Sequence, residues 1–369
     1  MNEAAHARLL LSILRERWDE AAAWAGHNSL LPQEFVDLCR STDVPTHVHE
    51  LLQSRDRWSL VGPEVQAGLK RARDKVRRDN LLLLARAEHA LELLLGAGIV
   101  PVALKGLDTL HRFYGNFDER TLDDVDLLIP RTQLQAAVDV LCNAGWTLPA
   151  EPTALHYIRS SHHLPIVSPG PVTVDFEVHW NLAQEGRYAI DATALLERAI
   201  PFELFGRTIL RLEDHDLVAH LLVHHQSHYF DRRLKWMVDL QAIVRQPNFR
   251  WETVVERVRE WKARVASSFC LLHMNKVWPE LIDQRVLREL WPAGWRRALA
   301  APLRSHHPLE LFRGTRARWV QLYIAALLLD RPSMLPAWLL HRAVRDRQPS
   351  ANPLDSEAAS KKRTGPFSS

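Results

Sequence analysis

Two aspartates, Asp124 and Asp126, lie at the start of a short apolar segment that continues with Leu127 and Leu128. In a β-strand, alternate side chains point to the same face, so these two carboxylates share a face and Asp123 points the other way. Like charges this close lower stability unless a cation lies near them. Mg²⁺ prefers oxygen ligands of this kind. The pair therefore predicts a divalent-metal site at the start of a buried strand.

A second acidic segment, Val172 to Trp180, carries Asp175, Glu177 and His179 at alternate positions. If this strand lies beside the first, Asp175 or Glu177 can add a third carboxylate within direct or one-water reach of the two aspartates. Carboxylates on adjacent strands can hold two metal ions for in-line phosphoryl or nucleotidyl transfer, and one carboxylate can accept a proton from the attacking hydroxyl. The alternative is a polar strand face toward solvent, because the other face of the strand is apolar.

Basic residues near the first acidic pair predict phosphate contacts. Lys105 and Gly106 follow an apolar segment and precede a helical one, where a glycine lets backbone N–H groups approach a phosphate. Lys105 could neutralise the phosphate as a point charge, and Arg120 could reach the same anion. The alternative for Arg120 is a surface ion pair with Asp123 or Asp124, which would then cap a turn.

A histidine-rich helix supplies the next candidates. His224 and His228 are four residues apart, a spacing that can bind zinc on one helix face. The zinc-protease motif requires a glutamate directly after the first histidine, and this chain has His225 there. Contact with the nucleotide or a structural role is therefore favoured. Lys235 and Asp239 are also four apart and could form a helix ion pair or face the same cleft.

The elements that must position these residues form three regions followed by a tail. Helical periodicity covers 1–96 and returns over 213–348, and the last segment, 349–369, has the composition of a disordered tail. Between them, residues 97–212 form a small α/β core. The long helix is predicted over Pro63 to Leu95. The predicted strands are Ile99 to Leu104, Val125 to Ile129, a hairpin of His162 to Val167 with Val172 to Trp180, and Thr208 to Leu212.

Composition narrows the class of protein. The 369 residues carry a net charge of +3, which argues against a nucleic-acid partner because such proteins usually carry a strongly basic surface. Three cysteines at separate positions form no disulfide framework and suit the cytoplasm. No uncharged stretch is long enough to span a bilayer, so a membrane role is not expected.

At the acidic residues the sequence resembles the uncharacterised nucleotidyltransferase family of bacteria, a branch of the polymerase-β-like nucleotidyltransferase superfamily. The resemblance extends over about residues 100–245. It rests on Leu104-Lys105-Gly106, Tyr114, Arg120, Asp124-Val125-Asp126-Leu127-Leu128, Glu177-Val178-His179-Trp180, His224 with His228, and Leu234 to Leu240. It implies an α+β fold with a nucleotidyltransferase-like α/β core and a mixed sheet, and it favours Glu177 over Asp175 as the third acid. The broader superfamily has Gly-Gly or Gly-Ser where this chain has Lys105-Gly106.

The function expected from these residues is transfer of a nucleoside monophosphate from an NTP, with Mg²⁺ or Mn²⁺, to a small-molecule, peptide or protein acceptor. Asp124, Asp126 and Glu177 would bind the metal. Lys105, Gly106, Arg120, His179, His224, His228 and Lys235 would contact the nucleotide. Two alternatives stay open, namely an inactive nucleotide-binding regulatory or partner-binding protein with the same fold and a metal-dependent hydrolase that uses the histidine-rich helix.

Overall fold

The protein is described from a computed structural model. The structure describes residues 2–27, 30–150, 153–184, 186–227, 233–294, 297–298, 327, 329–330 and 336. The predicted tail at 349–369 and the last part of the helical region at 213–348 therefore lie outside the described residues. The domain boundaries at 96 and 212 stay predictions.

The N-terminal part of the chain is helical. Three of its helices begin with a proline in the first turn, where the missing N–H has no intrahelical partner to lose. The long helix ends at Gly96, one residue past the predicted end, and Gly98 follows with a φ of 74°. The helices are α1 (Asn2–Leu14), α2 (Trp18–Ala25), α3 (Pro32–Ser41), α4 (Pro45–Ser54) and α5 (Pro63–Gly96).

A mixed six-stranded sheet follows, in the order β3-β4-β2-β1-β6-β5 among the described residues. β2 lies between β1 and β4, and all four of its residues are buried. β2 is parallel to β4 and antiparallel to β1, and β1 is parallel to β6. The predicted α+β class with a mixed sheet is confirmed. The strands are β1 (Val102–Ala103), β2 (Val125–Leu128), β3 (His163–Val167), β4 (Asp175–His179), β5 (Ile200–Leu204) and β6 (Arg207–Arg211).

Two strands differ from the sequence prediction. β1 is only two residues long, because Pro101 has no N–H to donate and α6 begins at Lys105. β5 was missed, because Pro201 argues against a strand, yet β5 lies at a sheet edge where a proline is tolerated. It pairs antiparallel with β6 through a turn in which Phe205 and Gly206 have φ values of 52° and 69°. The β3–β4 hairpin is confirmed.

The remaining helices pack on both faces of the sheet. Those within the core region are α6 (Lys105–Phe113), α7 (Leu134–Asn143), α8 (Thr153–Ser160) and α9 (Ala192–Glu197). Those after it are α10 (Asp214–Ser227), α11 (Lys235–Val244), α12 (Trp251–Glu260), α13 (Arg264–Val277) and α14 (Gln284–Leu290). Helical structure therefore returns at Asp214, as predicted. Short 3₁₀ turns lie at Trp58–Leu60 and Arg131–Gln133.

The two faces of the sheet differ. One is apolar, and the other, called the functional face, carries Asp126 and Glu177. Val125 and Leu127 of β2 and Phe176 and Val178 of β4 are buried in one core, with the second half of α5 and with α7. A second core joins the N-terminal and C-terminal helices and includes Leu128. Because alternate residues of a strand point to opposite faces, the acids of β2 and β4 lie on the face opposite the first core.

Candidate functional site

Asp126 and Glu177 occupy directly opposed positions on the parallel strands β2 and β4. A carboxylate oxygen of each and a ring nitrogen of His179 all lie within 4.8 Å of one another. The prediction that the two acidic strands are neighbours is confirmed, and Glu177 lies within the expected reach of Asp126. The alternative of a polar strand face toward solvent describes Asp175, which is exposed, but not Glu177, which is half-buried, or His179, which is buried.

Two cationic side chains contact Asp126. The Lys105 ammonium donates to Asp126 Oδ1 at 3.0 Å, and His179 Nε2 contacts the same oxygen at 2.8 Å. Burial by itself raises the pKa of Asp126, but the Lys105 charge and the His179 hydrogen bond outweigh it and lower that pKa. The turn at the start of α6 brings Lys105 onto the β2 carboxylate.

His179 joins the two acids. Its Nε2 atom is 2.8 Å from Asp126 Oδ1 and 3.1 Å from Glu177 Oε2. Burial lowers the pKa of His179, but the hydrogen bonds to Asp126 and Glu177 outweigh burial and raise that pKa to about 9. The ring is therefore an imidazolium at neutral pH in the metal-free protein. A cation at this point keeps the two carboxylates ionised side by side.

Asp124 differs from Asp126 and Glu177, which are hydrogen-bonded to cationic side chains. It is half-buried, and within the described ranges no hydrogen bond or ion pair reaches its carboxylate. Burial and the Asp126 charge raise the pKa of Asp124 to about 7, although Lys105 opposes the shift. An unsatisfied carboxylate beside a paired one is the arrangement expected where a cation is to bind.

Lys105 and Gly106 form the first turn of α6. Lys105 has a φ of 39°, a left-handed conformation that is uncommon for a residue with a side chain. A Cβ atom on Gly106 would lie 2.7 Å from Arg120 Nη1 and 2.9 Å from a methyl of Leu122. The structure thus gives Gly106 a packing role against the loop before β2. Its predicted contact with a phosphate stays a prediction.

Arg120 makes a buried ion pair that connects the loop before β2 to α11. Its Nε and Nη2 atoms donate to Asp239 at 2.8 and 2.7 Å, and Nη1 donates to the Thr121 carbonyl at 3.0 Å. The Tyr114 hydroxyl donates to the same Asp239 carboxylate at 2.7 Å. The alternative of a surface pair with Asp123 or Asp124 was wrong, since the guanidinium is buried against α11. Its predicted phosphate contact is untested.

Lys235 and His224 make other contacts in the part of the chain that the structure describes. Lys235 is buried and donates to Asp123 at 2.7 Å and to Asp43 at 2.6 Å, so it connects α11 to the turn between α3 and α4 and to the loop before β2. The His224 ring packs edge-on against Trp236 at 4.8 Å. His228 lies outside the described residues, so the predicted pair with His224 is not tested. Nucleotide contacts of both residues stay predictions.

Three histidines near the acids were missed by sequence reasoning. His163 lies directly opposite His179 in the β3–β4 register, and His162 precedes it. Burial, ahead of neighbouring charges, lowers the pKa of His163 to about 4 and lowers that of His162 as well. His220 on α10 is buried, and its pKa is lowered by burial first and then by the charges of Lys105 and His179. Hairpin register could have revealed His163, and the four-residue spacing from His224 could have revealed His220.

The fold and the site together define a class. A mixed sheet that carries opposed carboxylates on two central parallel strands, with a lysine beside them, is suited to metal-assisted phosphoryl or nucleotidyl transfer. The chain belongs to the uncharacterised nucleotidyltransferase family, whose sequence profile matches residues 28–279. The family supports a general nucleotidyl-transfer function.

Other comparisons add little. An antigenic nucleotidyltransferase-like protein from Paracoccidioides brasiliensis, known from a crystal structure, is similar over 58% of this chain and 94% of that chain. Its sequence identity of 12% and TM-score of 0.30 are too low to support a structural conclusion. No curated protein matches the sequence. Within the described ranges, the helices are too short or too polar to cross a membrane.

Proposed function

We propose that this protein is a Mg²⁺- or Mn²⁺-dependent nucleotidyltransferase that moves a nucleoside monophosphate from an NTP to an acceptor and releases pyrophosphate. The observation that supports it is the set of three acids on one sheet face. Asp126 and Glu177 are opposed on parallel strands, and Asp124 lies two residues before Asp126 without a hydrogen-bonded partner in the described chain.

The donors present fit a divalent ion. Asp126 and Glu177 offer carboxylate oxygens, and His179 offers a ring nitrogen within the same 4.8 Å group. Asp124 adds another oxygen on the same side of β2. Oxygen donors suit Mg²⁺, and Mn²⁺ also accepts an imidazole. When bound, such an ion supplies positive charge to the phosphate oxygens and lowers the barrier to displacement at phosphorus.

The protein's own residues bind and orient the nucleotide. The Lys105 ammonium lies next to the acids, so it is placed to pair with a phosphate oxygen once a metal has reduced the negative charge around it. Burial alone raises the pKa of Glu177, but the His179 hydrogen bond and the charges of His179 and Lys105 outweigh burial and lower that pKa. A low pKa suits a metal ligand better than a general base, so the ligand role of Glu177 is the better supported of its two predicted roles.

The acceptor is proposed to be a small molecule, a peptide or a protein. The net charge of +3 argues against a nucleic acid, which normally calls for a strongly basic binding surface.

A non-catalytic nucleotide-binding protein is the second candidate, and one observation favours it. Lys105 and His179 already neutralise Asp126 in the metal-free protein, so the site is partly balanced without any added ion. Lys105 also stands where the broader superfamily has glycine or serine. In this alternative the protein would bind the nucleotide and pass the signal to its helical regions without turnover.

The experiment follows the α-phosphate of an NTP. Full-length protein is incubated with α-labelled or γ-labelled NTPs, Mg²⁺ or Mn²⁺, and a fractionated cell extract that supplies the acceptor. The proposal expects the α-label to enter a product and pyrophosphate to be released. Asp126→Asn should lower this transfer by roughly 10³-fold, the loss typical of removing one charge-stabilising group from an active site.

The matched control is Asp123→Asn, which removes a neighbouring carboxylate on the other side of the strand. It should retain transfer. Unchanged transfer in Asp126→Asn would sink the site assignment. NTP binding by calorimetry without label transfer, under every metal tested, would favour the non-catalytic alternative.

A further inference from the structure

Three imidazoles come together at the edge of the functional face, beside the acid cluster, with which they share His179. The ring centroids of His162, His163 and His179 are 4.7, 5.1 and 5.5 Å apart in the three pairings. One ring nitrogen from each lies within 4.8 Å of those of the other two. The backbone fixes this arrangement, since His163 is opposed to His179 and the Trp180 N–H donates to the His162 carbonyl at 3.0 Å.

The spacing approaches that of a metal-bound set. Zinc–nitrogen bonds of about 2.0–2.1 Å at tetrahedral angles place two ligand nitrogens roughly 3.3–3.4 Å apart. His162 Nε2 and His163 Nδ1 are already 3.4 Å apart. A ring nitrogen of His179 lies within 4.8 Å of one from each of the other two. To become the third ligand, His179 has to release the proton that it shares with Asp126 and Glu177.

The surroundings also match a metal site. Histidine ligands usually direct their second ring nitrogen to a carboxylate, which fixes the ring orientation. His163 Nε2 faces Glu177 Oε1 at 3.6 Å, while its Nδ1 faces His162. His162 Nδ1 is buried and has no hydrogen-bond partner in the described part of the chain. In the described part of the chain, the His162 ring is therefore contacted on its Nε2 side alone, by His163 at 3.4 Å.

We infer that His162, His163 and His179 form a binding site for a first-row transition-metal ion such as Zn²⁺, beside the carboxylate site. Nitrogen ligands select such ions and exclude Mg²⁺, which takes oxygen ligands. Three protein ligands leave one position of a tetrahedral ion open, as in catalytic zinc sites. His179 belongs to both clusters, so a metal ion bound to the imidazoles changes the hydrogen bond between His179 and Asp126. The inference concerns metal binding and does not depend on nucleotidyl transfer.

Co²⁺ is the probe, because its visible absorption is strong in tetrahedral nitrogen sites and weak for hydrated ions. Full-length protein freed of metal with a chelator is titrated with Co²⁺ in excess Mg²⁺. One equivalent is expected to bind with an intense visible band. His162→Ala and His163→Ala should each weaken binding at least tenfold, whereas His89→Ala, on α5 and away from the cluster, should bind as the wild type does.

A second measurement on the wild type keeps the test independent of mutant folding. X-ray absorption at the zinc edge of the Zn²⁺-loaded protein should show scattering from two or three imidazoles. The inference is overturned if no stoichiometric Co²⁺ binds in excess Mg²⁺, or if binding is unchanged in both His162→Ala and His163→Ala. A zinc spectrum without imidazole scattering would overturn it as well, and would indicate a hydrogen-bonded histidine cluster only.

Discussion

Two groups of buried charged residues, one around Asp239 and one around Asp126, differ in how completely their carboxylates are paired. Asp239 accepts three hydrogen bonds from Arg120 and one from Tyr114. The Asp126 group places three acids beside two cations and leaves Asp124 without a hydrogen-bonded partner in the described ranges. The first group is balanced within the protein, and the second is not.

The difference separates a structural ion pair from a candidate binding site. A carboxylate that is fully bonded to a bidentate arginine has nothing left to offer a ligand, and it holds α11 against the loop before β2. An acid cluster with one unsatisfied member remains able to bind a cation. Sequence spacing alone does not distinguish the two, because Arg120 is closer in sequence to Asp124 than to Asp239.

Removing the Asp239 carboxylate from its pair with Arg120 should give the largest loss of stability. Asp239→Ala removes the partner of a buried guanidinium and should lower the free energy of unfolding by about 3–5 kcal/mol. Urea denaturation followed by circular dichroism measures this change. The double variant Arg120→Met/Asp239→Leu should recover most of the loss, because no unpaired buried charge remains. A loss below about 1 kcal/mol in Asp239→Ala would show that the pair is less important than its geometry indicates.

Removing the lysine of the unbalanced group should affect ligand binding. Lys105→Ala is expected to weaken ATP binding by about 1.5–3 kcal/mol, the range for a hydrogen bond to a charged group, and to leave adenosine binding unchanged. Calorimetry with Mg²⁺ present measures both affinities. Lys75→Ala is the control, since it removes an exposed lysine of α5 that pairs only with Asp79 in the described chain. Equal effects on ATP and adenosine would mean that Lys105 does not contact phosphate.

The smallest expected effect is on the free energy of unfolding of variants at the neighbouring acids Asp124 and Asp123. In a chelator, Asp124→Asn should raise the free energy of unfolding by about 0.5–1 kcal/mol, because a like-charge repulsion with Asp126 is removed. Asp123→Asn should lower it by no more than about 1 kcal/mol, because Asp123 is exposed and pairs with Lys235 and Arg233.

Added Mg²⁺ should make the wild type more stable than Asp124→Asn. Only the wild type retains its full metal site, and ligand binding stabilises the folded state. Thermal unfolding with and without Mg²⁺ measures both variants. If Mg²⁺ stabilises Asp124→Asn as much as the wild type, Asp124 is not a metal ligand.

Local residue patterns predict the individual elements and the direction of the functional side chains. The long helix to Gly96, the β3–β4 hairpin and the shared face of Glu177 and His179 all follow from periodicity and turn residues. These features depend on neighbours only a few residues away, so local spacing encodes them. The acidic character of the site could be predicted for the same reason.

Which charges pair depends on the tertiary packing and not on local residue patterns. Lys105 and Asp126 are 21 residues apart, and Arg120 and Asp239 are 119 apart. No local pattern indicates which acid a given cation will contact, because that depends on strand order and on how α6 and α11 pack against β2. The histidine cluster likewise required the β3–β4 register together with the bend at His162. Electrostatic partners over such sequence distances are set by packing, and packing also decided which carboxylate was left available for a ligand.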